Sequence, residues 1–280
     1  MKKRGVLYVV ATPIGNLEDI TLRALRILKE ANYILCEDKR TTLKLLNKYK
    51  IKNNLISYHK FNEEKELPNI IQLLESGQNI ALVSDAGSPL ISDPGVQLIS
   101  MVYKQGIRIV SIPGASALIS TLSICPIKFN EFTFLGFLPD KTSKRIELIS
   151  SLTKNASVAV IYIAPHDLKK YVKEICTQYP LINIFYAREL TKFYEETWFG
   201  KIKDFISLIE EKKFKGEMVL VLDFRNVESN NERKSITNED LLNFLNSQIN
   251  AGLSVKSASK EASKFFKISS REIYNIYVKK

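Results

Sequence analysis

Two short polar loops carry the residues whose types could do chemistry. Residues 84–89 read SDAGSP and place a carboxylate at Asp85, a flexible backbone at Gly87 and a hydroxyl at Ser88 within four positions. Gly87 can take positive φ and Pro89 has a fixed φ, so this turn can hold polar groups where a sheet opens to solvent. We expect a ligand there. The alternative is that Asp85 and Ser88 only close turns through their own side chains.

The second loop is CEDKR, residues 36–40, which sets four charged side chains directly after an apolar segment. Charged residues are unusual neighbours of a core, so this loop is a second candidate for chemistry. The alternative is structural, because Glu37 and Asp38 would precede a helix, and acids near a helix N-terminus interact favourably with its dipole.

A repeat of strand, loop and helix must position these loops. Apolar segments predict strands at residues 5–12, 33–36, 80–83 and 107–112. We therefore predict an α/β fold with a mostly parallel sheet and helices on both faces. Ligands bind such sheets outside the carboxyl ends of the strands. The loops that should gather there are TPIGN (12–16), CEDKR (36–40), SDAGSP (84–89) and IPGASA (112–117).

Two of the predicted helices show an apolar face. The helix over residues 21–31 places Leu22, Leu25 and Leu28 on one side. A later helix, introduced by the turn Asp93-Pro94-Gly95, has apolar positions at Val96, Leu98, Ile99 and Val102.

Several classes of site are absent from the sequence. The TPIGN loop has one glycine where a dinucleotide site needs three, and no phosphate-binding GxxxxGK[ST] motif occurs. Ser116 lacks the GxSxG context of a hydrolase nucleophile. Three scattered cysteines and two isolated histidines predict neither disulfides nor a metal site, and they fit a cytoplasmic protein. We find no signal peptide or membrane span.

Three regions follow from the pattern along the chain. We predict an N-terminal α/β domain over residues 1–126 and a second α/β domain over 127–226, whose strand pairs suggest a mixed sheet. We predict a helical extension over residues 237–280.

The net charge of +11 favours a polyanionic partner, and the alternative is that the charge reflects biased coding in a chain rich in Lys, Asn and Ile. The helical extension is a possible RNA contact, and the alternative is a solvated helical cap. Its cations are Lys256, Lys260, Lys264, Lys267, Arg271, Lys279 and Lys280.

The motifs in order resemble one family. ATPIGNLEDITLRAL, CEDKRTTLKLL, ALVSDAGSPLISDPG, IPGASA, RELTKFYEE and GEMVLVL are similar to the ribosomal small subunit methyltransferase I family of the tetrapyrrole methylase superfamily. The resemblance spans almost the whole chain. It implies two α/β domains of tetrapyrrole methylase type with a cleft between them, and a homodimer.

The resemblance also implies an activity, namely S-adenosylmethionine-dependent methylation of a cytidine ribose 2′-hydroxyl in the decoding region of 16S rRNA. The expected substrate is this rRNA within the small ribosomal subunit. Two alternatives remain open. One is a methyltransferase acting on carbon atoms of a precorrin-type tetrapyrrole, and the other is a non-catalytic RNA-binding protein of ribosome assembly.

The site residues follow from the resemblance and from the chemistry of methyl transfer. A ribose hydroxyl is a poor nucleophile, so a base would help, and Asp38 or Glu37 are candidates, with Arg40 holding a phosphate or the acid. The expected cofactor contacts are Pro13, Asp85, Gly87, Ser88, Ser116, Ala117, Tyr162, Ala164 and Met218. The expected substrate contacts are Lys39, Lys144, Arg145, Arg188 and Lys192.

The chain departs from the family pattern at three places. Family members tend to have Thr where Lys39 stands, and an acid and His where Lys60 and Phe61 stand. They also tend to have an acid and Ser where Ile163 and Ala164 precede a proline.

Overall fold

The computed structural model describes residues 4–154, 157–211, 214–225, 227, 238–250, 253–266 and 269–278. By internal contacts the chain divides into two compact units, Met1–Val227 and Glu228–Lys280. The first unit contains two five-stranded sheets, and the second contains helices.

The first sheet has the strand order β3-β2-β4-β1-β5, and every neighbouring pair is parallel. Its strands all point the same way, so the loops that follow them gather at one edge. This confirms the predicted parallel sheet. The strands are β1 (Val6–Val10), β2 (Tyr33–Cys36), β3 (Asn54–Ser57), β4 (Ile80–Leu82) and β5 (Arg108–Ile112).

Helices cover both faces of this sheet, as parallel sheets require. One apolar cluster contains Leu28 and Leu46, and a second contains Ile70 and Val102. The connecting helices are α1 (Leu22–Glu30), α2 (Lys39–Lys48), α3 (Glu63–Glu75), α4 (Val96–Lys104) and α5 (Ala117–Ile124).

Two residues predicted on apolar helix faces are exposed instead. Leu22 is 86 % exposed, because α1 packs through Ala24, Ile27 and Leu28, and 100° per residue puts Leu22 on the opposite side. Val96 is also exposed, at the first position of α4. The prediction that these residues belong to the apolar face of their helix is wrong at both positions.

The second sheet is mixed, as predicted. Its order is β6-β7-β10-β8-β9, and only the β6 and β7 pair is parallel. The elements are β6 (Phe132–Phe137), α6 (Thr142–Lys154), β7 (Val158–Ile163), α7 (Pro165–Gln178), β8 (Asn183–Arg188), β9 (Glu196–Lys201), α8 (Ile202–Glu211) and β10 (Met218–Asp223).

The two sheets share an apolar cluster. Ile14 and Leu122 from the first half of the chain pack in it with Val160 and Val219 from the second sheet. The loops also meet, because the Asn16 amide donates to Thr191 Oγ1 over 3.0 Å. The carboxyl edge of the first sheet therefore lies against the second sheet.

The second unit holds α9 (Asn238–Asn250), α10 (Val255–Phe266) and α11 (Ser270–Val278), packed around buried Leu241, Leu245 and Ile273. Ser254 caps α10, since its Oγ accepts from the Ser257 amide at 3.2 Å. Within the described ranges, no helix has the length and apolar character needed to cross a membrane. Of the predicted tail cations, Lys256 and Lys260 are exposed. Lys264, Lys267, Arg271, Lys279 and Lys280 lie outside the described side chains.

Candidate active site

A cavity of about 350 Å³ lies where the first sheet's carboxyl-edge loops face the second sheet. This volume is within the range of small-molecule sites. Its walls come from the loop over residues 85–93, the start of α5, the end of β7 and the start of β10. The site therefore depends on segments more than a hundred residues apart in the sequence.

The lining is mostly apolar with acids at intervals. Tyr162 and Met218 are among the apolar and aromatic residues of the wall. Among the residues that line it in the described chain, the charged ones are Asp85, Asp93 and Glu217. A pocket with carboxylates and without lysine or arginine in its wall favours a ligand that is partly apolar and carries positive charge.

Eight of the nine predicted cofactor contacts line this one cavity. Pro13 is the exception, because it is buried, and its neighbour Ile14 reaches the wall instead. The parallel order of the first sheet predicts that the residues of its two loops meet, whereas Tyr162, Ala164 and Met218 were predicted from the family resemblance. The eight are Asp85, Gly87, Ser88, Ser116, Ala117, Tyr162, Ala164 and Met218.

The loop after β4 is fastened to the loop after β1. Thr12 and Gly87 form an isolated antiparallel bridge, with amide-to-carbonyl distances of 2.8 and 3.0 Å. Gly87 adopts a φ of 78°, which glycine tolerates without steric cost. Leu90 and Ser92 also have positive φ, at 74° and 70°. Non-glycine residues in this region are strained, and such strain clusters at functional sites.

Asp85 connects the cavity to the CEDKR loop. Its Oδ1 accepts a hydrogen bond from the Asp38 backbone amide at 3.1 Å. Burial raises the pKa of Asp85, while that amide opposes the rise. The carboxylate is therefore held in place at the wall, partly removed from water.

Ser88 and Ser116 make the turn contacts that the structural alternative expects. The Ser88 hydroxyl lies 3.4 Å from the Ala115 carbonyl oxygen. Ser116 Oγ caps α5 through the Ile119 amide at 3.5 Å. Both residues also line the cavity, so the structural and binding interpretations are compatible.

The predicted catalytic residues Glu37, Asp38 and Arg40 lie outside the cavity lining. Asp38 caps α2 through the Arg40 amide, and its two carboxylate oxygens accept from the Arg40 guanidinium at 2.7–3.1 Å. These hydrogen bonds lower the pKa of Asp38 to about 2. A carboxylate of such low basicity is a poor proton acceptor. The Arg40 side chain is 87 % exposed and remains available to a phosphate.

Asp93 is the site residue that the sequence analysis missed. It lines the cavity, and burial raises its pKa to about 6, with the Glu37 carboxylate adding to the rise. In the sequence, Asp93 is indicated only as part of the turn before α4. The repetition of a Ser-Asp pair, at residues 84–85 and again at 92–93, was the available signal.

The predicted RNA contact of Arg145 is wrong, because the side chain of this residue is buried. Its side chain is 0 % exposed and forms an ion pair with Glu174 at 2.6 Å. Its Nη1 donates to the Pro139 and Asp140 carbonyl oxygens, and its guanidinium lies 4.0 Å from the Tyr171 ring centre. Arg145 thus ties α6 to α7.

The other predicted substrate contacts differ in availability. Lys39 and Lys144 are exposed. Arg188 forms an ion pair with Glu196 at 3.2 Å. Lys192 bridges Glu189 and the cavity residue Glu217, at 2.9 and 3.0 Å. The expected free cations at the tip between β8 and β9 are therefore already neutralised by acids.

Comparison with known proteins places this geometry in a family. The family model described as tetrapyrrole (corrin/porphyrin) methylases matches residues 6–206. Ribosomal RNA small subunit methyltransferase I of Thermotoga maritima is 43 % identical over 78 % of this chain and 98 % of its own length. The chain belongs to the ribosomal RNA small subunit methyltransferase I family of tetrapyrrole methylases.

Other relatives support this family over the full chain. The Halalkalibacterium halodurans member is 38 % identical over 98 % of this chain and 95 % of its own. Its alignment therefore extends beyond the cavity into the helical extension.

Solved structures agree in fold. Uroporphyrin-III C-methyltransferase of Thermus thermophilus, complexed with S-adenosylhomocysteine, has a TM-score of 0.56. It is 15 % identical and covers 78 % of this chain and 97 % of its own. The predicted tetrapyrrole methylase fold is confirmed.

Two departures from the methyltransferase I pattern lie together in the loop after β3. Phe61 is exposed, and the Lys60 ammonium lies 4.9 Å from its ring centre. The structure thus places a cation and an aromatic ring where family members tend to have an acid and His.

Proposed function

We propose that this protein methylates the 2′-hydroxyl of a cytidine ribose in the decoding region of 16S rRNA, using S-adenosylmethionine. The observation that carries the proposal is the acidic and apolar cavity at the strand ends of a chain whose curated relatives are named ribosomal RNA small subunit methyltransferases. A cytoplasmic homodimer acting on the small ribosomal subunit is the setting we propose.

The lining residues fit the proposed cofactor. S-adenosylmethionine carries a sulfonium and an ammonium, and the cavity offers carboxylates at Asp85, Asp93 and Glu217. Its adenine requires an apolar wall, which Ile14 and Met218 can supply. When bound, this cofactor supplies a methyl group on a positively charged sulfur, which makes the methyl carbon electrophilic. The remaining cofactor contacts we propose are Gly87, Ser88, Ser116, Ala117, Tyr162 and Ala164, with Pro13 supporting the loop from behind.

Asp93 is our candidate for the base. A proton acceptor must reach the reacting hydroxyl and be ionised at working pH, and Asp93 lines the cavity with a pKa of about 6. Asp38 is ionised at working pH, but it lies outside the cavity lining, and with its pKa held near 2 by Arg40 it is a weak proton acceptor. We therefore assign Asp38 to positioning Arg40, whose exposed guanidinium can bind an RNA phosphate. Glu37 acts on Asp93 through its charge.

Exposed cations supply the remaining RNA contacts in this proposal. Lys39 and Arg40 stand at the start of α2, beside the loop that holds Asp85. Lys144 is exposed on α6, and Lys256 and Lys260 are exposed on α10. Phosphate contacts of this kind position an RNA without reading its sequence.

The test is transfer of a labelled methyl group to small ribosomal subunits that lack the modification. We expect label on a cytidine ribose of 16S rRNA, identified by nucleoside mass spectrometry, and none on subunits already methylated there. Label on a base would contradict the assignment, and so would label on a tetrapyrrole instead of RNA. A chain that binds subunits but shows no heat of binding with the cofactor would support the non-catalytic alternative.

A further inference from the structure

We infer that Phe193 and Tyr194 form a stacking platform for an unpaired base of the RNA, on a turn that contributes to the cavity wall. This inference rests on the proposed function, because it concerns how the same site receives its substrate. Both residues lie in the turn between β8 and β9.

The two rings are unusually exposed. Phe193 is 93 % exposed and Tyr194 is 70 % exposed. They contact each other edge to face, with centroids 5.0 Å apart and planes at 90°. In this arrangement neither ring covers the other's faces fully, so an aromatic plane remains open to solvent. Unpaired bases of RNA stack on phenylalanine and tyrosine rings.

The turn that carries the rings is rigidly held. The Thr191 amide donates to Glu195 Oε2 at 2.6 Å, and the Lys192 amide donates to the Glu189 carbonyl at 3.0 Å. Glu189 and Thr191 have positive φ, at 51° and 66°. Backbone in this region persists only where surrounding contacts enforce it. A platform on such a turn needs little ordering when a ligand binds.

The same turn forms part of the cavity wall. Leu190 lines the cavity, and the Lys192 ammonium lies 3.0 Å from a carboxylate oxygen of Glu217, another lining residue. Phe193 follows Lys192 directly, and adjacent Cα atoms are about 3.8 Å apart. Phe193 is three residues from the lining residue Leu190, so a base stacked on these rings would lie within about 11 Å of chain from the cavity wall.

A nucleobase fits this surface better than a second copy of the chain. A stable protein interface buries about 800 Å² on each partner, whereas two aromatic side chains offer at most about 300–500 Å². The turn around the rings is also charged, with Glu189, Lys192 and Glu195 close in sequence. The exposed area of two aromatic rings matches the size of one or two bases.

The experiment compares RNA affinity in three variants of the full chain, measured with unmodified small subunits. The double variant F193A/Y194A should weaken binding by roughly five- to hundredfold, which is the range for losing base stacking. F193Y/Y194F keeps both rings and should bind like wild type. Y103A removes a ring of similar exposure (79 %) near the C-terminal end of α4 and serves as the matched control.

Two further measurements separate the possible outcomes. Cofactor titration should show unchanged affinity in F193A/Y194A, and thermal melting should show an unchanged midpoint, because the rings bury little. If the wild-type protein methylates RNA and F193A/Y194A binds RNA as tightly as wild type, the stacking inference is overturned. The proposed function is not affected by that result. Conversion of a dimer to a monomer by light scattering would assign the rings to a second copy. Failure of wild type to methylate RNA would overturn the proposed function itself.

Discussion

Among single residues, two acids near the cavity lie in different electrostatic surroundings. Asp38 accepts bidentate hydrogen bonds from the Arg40 guanidinium, and these lower the pKa of Asp38 to about 2. Asp93 is partly buried in the cavity wall, and this burial together with the negative charge of Glu37 raises its pKa to about 6. Pairs of acids whose surroundings shift their pKa values apart commonly divide positioning and proton transfer between them.

The raised pKa of Asp93 predicts that the methylation activity depends on pH. Because its pKa is raised, the carboxyl is protonated below pH 6 and ionised above it, and only the ionised form accepts a proton. We expect kcat/KM to fall about tenfold per pH unit below 6 and to be level above it. Asp93→Asn should lose most activity at neutral pH and lack this acid limb. A wild-type profile that stays level to pH 5 would remove Asp93 as the base.

Arg145 and Lys144 are sequence neighbours with opposite expected roles. Removing one partner of a buried ion pair costs about 3 kcal/mol or more, so Arg145→Ala should lower the free energy of unfolding by that amount. Lys144→Ala should leave stability unchanged and weaken RNA binding in a salt-dependent way. Denaturant unfolding and RNA titration measure both. A stable Arg145→Ala chain with weakened RNA binding would restore the original prediction.

At the scale of elements, the strand and helix order could be predicted from sequence, because apolar periodicity reports burial. The strand-loop-helix repeat sets a parallel direction, and direction alone brings Asp85, Ser116 and Gly87 to one edge. The raised pKa of Asp93 and the burial of Arg145 could not be predicted in this way. The pKa of Asp93 depends first on burial in the folded chain and then on Glu37, 56 positions away, and Arg145 is buried against Glu174, 29 positions away.

Gly15 lies in the TPIGN loop (12–16), which contacts the turn after β8. A side chain at this position should therefore change cofactor affinity. A Cβ there would lie 2.5 Å from Lys192 Cγ and 2.9 Å from the Leu190 carbonyl oxygen. Real Cβ contacts are longer, so Gly15→Ala should push the turn away and widen the cavity. We expect cofactor affinity to fall about tenfold, because a displacement of this size disrupts a pre-formed site. Leu22→Ala, at an exposed position, is the control. Unchanged cofactor affinity would show that this contact does not shape the cavity.

At the scale of the whole molecule, the first unit combines a parallel sheet that presents loops with a mixed sheet that closes the cavity against them. Neither sheet supplies all the lining residues alone. The second unit has exposed cations on α10 and its own apolar core, which suits a separate contact with RNA. The proposed division is a cofactor cavity between the sheets of the first unit, with RNA contacts supplied by exposed cations of each unit.

The most direct test of this account is calorimetric titration of S-adenosylmethionine into wild type and Asp85→Ala, with small-subunit affinity measured alongside. Hydrogen bonds to charged groups contribute about 1.5–3 kcal/mol, so we predict a 10- to 100-fold loss of cofactor affinity and nearly unchanged RNA affinity. Equal cofactor affinity in the two proteins, or loss of RNA affinity instead, would contradict the placement of the methyl donor in this cavity.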